Sequence, residues 1–260
     1  MSTYKTRAII LNKKPWREND ALYSLYTENF GKVRAVARGA KKVTSKLAPH
    51  LEPLMVTDLM IAKSKGIDKI AGSSLVRDFC RLKSNLPKLI LASQAVELVD
   101  NMIELEQGDQ RVFNLLERLF IFLNGNFKEY NGFLKAKASL KVFSLQLLDL
   151  LGYTPELYSC IHCKFEIDET ENFFHSEKGG LLCNKCSQLF TDRQEISVST
   201  IKFLRLMLIS DLGEIEKINL DEFLFKEIER VIDSFLRYQL DRELKSDKYL
   251  TNWREYVKMV

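Results

Sequence analysis

The chain has 260 residues and a mass of 30.2 kDa, with 46% hydrophobic and 28% charged residues, a composition that excludes disorder over most of its length. No apolar run approaches the roughly 18–20 residues of a membrane span, and Met1–Lys14 lacks a leader pattern, so an untargeted cytoplasmic chain with no membrane partner is expected, built as one large domain or two small ones. The net charge of +4 conceals a segregation: residues 1–80 hold fifteen Lys and Arg against seven Asp and Glu, a net of +8, whereas 81–260 hold 24 against 28, a net of −4, which points to an N-terminal part facing a polyanion.

In chain order, the first 80 residues read as short strands over Tyr4–Leu11, Ala21–Tyr26, Lys32–Ala37, Leu54–Ala62 and Lys69–Val76. Phe30-Gly31 supplies the turn between the second and third, and Gly39 ends the third at a basic loop, Arg38–Lys42. Five short strands fit a small closed barrel, because closure removes exposed edges; an OB-fold is the first choice by strand count and an SH3-like barrel the second. From about Leu86 the apolar period becomes helical, predicting helices over 86–106, Gln110–Leu123 and Tyr130–Leu151, then Ile196–Ile209 and Asp221–Leu244. A polar cysteine-containing insert at 154–192 interrupts this helical part. The expected class is therefore α+β and multidomain: a five-stranded barrel domain over 1–80, and over 81–260 a helical bundle carrying the insert.

Four of the five cysteines form two knuckles, Cys160-x2-Cys163 and Cys183-x2-Cys186, at a spacing that suits one four-thiolate zinc ion. Gly179-Gly180 offer permissive backbone before the second knuckle. Two disulfides are disfavoured in an untargeted chain, and a redox pair would need only one knuckle. Four thiolates leave no open coordination position, so the zinc is expected to be structural; His162 or His175 is the alternative ligand. Cys80, alone beside Phe79, reads as a small buried hydrophobe.

A second constellation is cationic. Arg34 and Arg38 fall on the third strand and its end, Lys41, Lys42 and Lys46 on the loop after it, and Arg7, Lys13 and Lys14 elsewhere in the barrel. Single-strand binders combine phosphate-tracking cations with aromatic platforms, for which Trp16, Tyr23, Tyr26 and Phe30 are available, although core positions compete for each of these. Lys137 and Lys141 share one face of the third helix, read as solvated. No phosphate loop, dinucleotide fingerprint, nucleophile elbow or His-Glu-x-x-His motif occurs, so no catalytic residue is assigned and no enzyme is expected.

Several stretches together resemble the RecO family of recombination mediators along nearly the whole chain. In the barrel they are Ala8-Ile9-Ile10-Leu11, Glu18-Asn19-Asp20, Phe30-Gly31-Lys32, Arg38-Gly39-Ala40-Lys41-Lys42 and Leu51-Glu52-Pro53-Leu54. Beyond it they are Leu150-Leu151-Gly152-Tyr153-Thr154-Pro155-Glu156-Leu157 leading into the first knuckle, and Gly179-Gly180-Leu181-Leu182 leading into the second. The resemblance implies an N-terminal OB-fold and a helical domain with a zinc knuckle, although some family members lack the cysteines. It further implies a non-catalytic, nucleoid-associated DNA-repair protein that binds single- and double-stranded DNA. Such a protein anneals strands held by single-stranded-DNA-binding protein and, with RecR, helps load RecA. The residues alone leave open a zinc-stabilised adaptor whose basic barrel binds an acidic protein.

Overall fold

Side chains that alternate between core and solvent make strands of most of the first 77 residues. The computed structural model describes residues 2–126, 130–168, 171–217, 220–240 and 244. They fall into two compact units, one built on Met1–Gly125 and the other on Asn126–Glu243.

In the first unit β1 (Thr3–Pro15), β2 (Ala21–Thr27), β3 (Gly31–Ala37), β4 (Val56–Ala62) and β5 (Asp68–Arg77) pair in the order β1-β2-β3-β5-β4, and β4 closes the ring on β1. All contacts are antiparallel except β3 with β5, a parallel junction of two residue pairs, Ala35–Asp68 and Val36–Lys69. The inward positions Ala8, Ile10, Tyr23, Leu25, Ala35, Ala37, Leu59 and Ile61 fill the barrel with Leu51 and Ile70. A short turn of helix, α1 (Cys80–Lys83), leads to α2 (Leu86–Met102) and α3 (Gln110–Leu123). Asn85 caps α2 by accepting the Lys88 N–H, with a proline in its first turn, and Asp109 caps α3 by accepting the Arg111 N–H.

Helices α2 and α3 group with the barrel, a placement that helical periodicity alone cannot indicate. Polar side chains on the outer face of β2 and β3 explain it. Ser24 donates to Asp100 of α2 at 2.8 Å, and Tyr26 donates to the Asp109 carbonyl at 3.0 Å. Lys32 is buried, and its ammonium lies 3.0 Å from the Asp100 carboxylate while donating to the carbonyls of Asp100 and Ile103. The α2–α3 linker runs beside β3, Glu106 N–H donating to Lys32 O at 2.8 Å. Gly31 makes this approach possible: its φ is +65°, and a Cβ there would lie 2.0 Å from the Gln107 carbonyl oxygen.

In the second unit α4 (Tyr130–Leu150) packs with α6 (Val198–Ile209) and α7 (Glu222–Leu240). The expected end of the last helix at Leu244 runs through 241–243, outside the described residues. Between α4 and α6 lie β6 (Asn172–His175), β7 (Gly180–Cys183), the one-turn α5 (Asn184–Ser187) and β8 (Gln194–Ile196), with the strands ordered β7-β6-β8. Gly179 enters β7 at φ +64°, where a Cβ would meet the Phe235 ring at 2.9 Å. The solvated face expected for α4 is not observed: Lys141 is buried and paired with Asp233 of α7, because α7 packs over that side. No helix among the described residues is long and apolar enough to cross a membrane.

Candidate nucleic-acid interface and metal centre

Strand directions divide the barrel's loops between two ends. Pro15, Ala21 and Ala37 form one cross-strand row, so the β1–β2 loop and the segment after β3 leave the same end, while the turn before β3 and the β4–β5 loop lie at the other. One hydrogen bond closes the β1–β2 loop and two join it to the segment after β3. Trp16 N–H donates to Asp20 O at 3.0 Å, Gly39 N–H to Asp20 Oδ1 at 2.8 Å, and Lys41 N–H to Asn19 O at 3.0 Å.

The eight cations expected to meet DNA separate here. Arg38, Lys41, Lys42 and Lys46 are exposed on the joined segments, with Lys14 exposed at the end of β1. Arg34 is exposed on the outer face of β3, two residues from the buried Lys32. Among the described residues none of these six has a carboxylate partner. Arg7 and Lys13 do: Arg7 Nε lies 2.9 Å from Asp58 Oδ1, and Lys13 Nζ 2.7 Å from Glu52 Oε1. The paired cations are partly neutralised and the unpaired ones are not. Arg17, exposed in the β1–β2 loop, joins the unpaired group and was missed. Its signal was only its position between Trp16 and Glu18 in a predicted loop, which shows charge without direction.

The second constellation converges as its spacing predicts. The sulfurs of Cys160, Cys163, Cys183 and Cys186 all lie within 4.8 Å of one another, with Cys163 and Cys183 3.9 Å apart. A disulfide needs about 2.05 Å. A tetrahedron of sulfurs around an ion at about 2.3 Å has edges of about 3.8 Å, so the separation fits metal coordination. Cys160 and Cys186 are buried, and the cluster packs against Leu182, Ile161, Phe173 and Phe190. Burial would raise the Cys160 thiol, but backbone N–H groups of Cys163, Cys183 and His162 directed at it bring it down to about 6. Burial and protons shared with the other three sulfurs push Cys186 up to about 12. Thiolates held this close repel one another, and a bound cation relieves that repulsion. Neither expected alternative ligand joins it: the His162 and His175 rings both pack edge-on to Phe190, and His175 Nδ1 accepts the Lys178 N–H. Cys80 corrects a third expectation. It is exposed, its thiol donating to Asp78 at 3.2 Å, because Phe79 takes the buried position beside it.

Two family models match the chain, described as Recombination protein O N terminal over residues 1–79 and Recombination protein O C terminal over 83–248. The chain belongs to the RecO family. Among its RecO relatives, a protein named DNA repair protein RecO from Dehalococcoides mccartyi is 30% identical over 243 residues, covering 94% of this chain and 93% of that protein. Others of the same name, from Roseiflexus sp. and Alkaliphilus metalliredigens, are 31% and 27% identical, covering 98% and 92% of this chain and 87% and 94% of their own lengths. The unpaired cations lie inside the RecO N-terminal match and the four cysteines inside the RecO C-terminal match.

Proposed function

We propose that this chain acts in DNA repair and recombination as a non-catalytic, DNA-binding mediator. The observation that carries this reading is the group of exposed cations, Arg34, Arg38, Lys41, Lys42 and Lys46 with Lys14, that have no carboxylate partner among the described residues, on a barrel whose net charge is +8. Arg7 and Lys13, already paired, contribute less. The strand order β1-β2-β3-β5-β4 with return to β1 supports an OB-fold over an SH3-like barrel, and residues 1–80 as the DNA-binding domain.

Annealing needs two polyanionic strands brought together against phosphate repulsion. The cationic end screens that repulsion, and base pairing supplies the driving force, so no bond is made or broken by the protein. Single- and double-stranded DNA are both ligands on this reading, since phosphate contact is common to them. The partners are RecR and single-stranded-DNA-binding protein, the outcome is RecA loading, and the place is the nucleoid in the cytoplasm. Cys160, Cys163, Cys183 and Cys186 would hold one zinc ion, whose role with a full thiolate shell is to brace the insert at about 154–192 within the unit built on Asn126–Glu243.

The test is a salt titration with a labelled single strand. For each phosphate contact the logarithm of affinity falls with the logarithm of salt at a slope of about −0.7. Reversing Arg38 and Lys41 to Glu should flatten that slope by about 1.4, weaken unrelated sequences alike and reduce annealing. An unchanged slope in the folded double variant would remove the barrel end as the binding surface.

A further inference from the structure

Among the described residues, the cationic end of the barrel carries one aromatic side chain open to solvent. Of the four aromatics that the sequence offers as platforms, Tyr23 and Tyr26 are fully buried. Phe30 is exposed at the opposite end, its ring 4.6 Å from that of Tyr4. Trp16 is 37% exposed, and among the described residues its ring has no aromatic or cationic partner. Its backbone is held firmly, because the Trp16–Asp20, Asp20–Gly39 and Asn19–Lys41 hydrogen bonds tie the loop that carries it to the loop that carries the cations. Trp16 and Arg38 both follow directly on the row Pro15–Ala21–Ala37, so two strand spacings, about 10 Å, separate their backbones. The acids of this loop do not cancel the charge: Glu18 and Asp20, the latter accepting the Gly39 N–H, are two against the six cations Lys14, Arg17, Arg38, Lys41, Lys42 and Lys46.

An indole partly open to solvent beside cations that have no carboxylate partner among the described residues is an arrangement that one ligand satisfies in both respects. A single strand offers anionic phosphates together with unpaired base faces, whereas a duplex offers the same phosphates with its base faces already stacked. We infer that Trp16 stacks on an unpaired base and is the residue by which the cationic end favours single-stranded over duplex DNA; this rests on the DNA-binding reading above. The cations act on both forms, and the ring acts on one.

The full-length protein is titrated at one salt concentration with a labelled thymidine oligonucleotide, an abasic oligomer of the same length and a duplex of the same length. Trp16→Ala should weaken the thymidine strand about 5- to 150-fold, the range for losing one stacked base, and leave the other two affinities unchanged. Trp16→Leu keeps apolar bulk without a π-face and should behave as Trp16→Ala; Trp16→Phe keeps a ring and should restore most of the preference. Equal weakening of all three ligands, or a Leu variant that binds as the parent does, overturns the inference while leaving the DNA-binding reading in place. Failure of the parent protein to bind any of the three overturns the reading itself.

Discussion

Glu227 shows how a single side chain can hold an element in place. Its carboxylate accepts the Ser197 N–H at 2.8 Å, the Ser197 hydroxyl at 2.6 Å and the Thr200 hydroxyl, and so links α7 to the first turn of α6. Burial alone would raise its pKa, but these donors hold it below the usual 4.5. A carboxylate depressed in the folded state stabilises above its unfolded pKa, and that contribution is lost as the pH falls through the folded value. Glu227→Gln should therefore lower stability at pH 7 by about 1 kcal/mol, and the gap between parent and variant should narrow on acidification as the pH falls through the depressed carboxyl value, as read from urea midpoints. Nothing in the sequence separates Glu227 from the other acids of its helix, because its partners are 27 and 30 residues away. The same limit applies to Lys32 and Lys141, whose burial depends on Asp100 and Asp233.

At the scale of elements, hydrophobic period and turn residues carry most of the information. Five strands and the long helices lie close to where alternation and three-to-four spacing put them, with β1 extended at its far end by the hairpin to Pro15 and Ala21. The α2–α3 linker was legible only as a break at Gln107-Gly108-Asp109, yet it runs as an added edge along β3. The partnership depends on two glycines, since a Cβ on Gly108 would also lie 2.5 Å from the Gly31 nitrogen. Gly31→Ala combines a positive φ with a backbone collision and should cost about 3 kcal/mol or more. Denaturant unfolding measures the loss, and hydrogen exchange at Glu106 should report the linker's release from β3.

For the whole molecule, the two constellations belong to different compact units, which makes their roles separable. If the four thiolates hold zinc as proposed, metal analysis should find one ion per chain in the parent and none after Cys183→Ser, and that change should lower the melting temperature of the unit that holds the knuckles, because metal binding at such a site is coupled to folding. Affinity for a single strand should survive; metal analysis and the DNA titration on the same sample decide it, and lost binding by a folded variant would make the knuckle a DNA contact. Among what the sequence determined by itself are the α+β class, the converging thiols and the concentration of positive charge in the first 80 residues. Those features are local or additive: knuckle spacing aims neighbouring sulfurs, strand alternation repeats every two residues, and net charge needs no coordinates. Tertiary structure alone decided which cations stay free, because Arg7 and Lys13 find Asp58 and Glu52 across the barrel while Arg38 and Lys41 find no acid among the described residues. It likewise decided which aromatic faces water, since burial of Tyr23 and Tyr26 follows from strand register and covering helices, and pairing between residues distant in sequence has no signature within either segment.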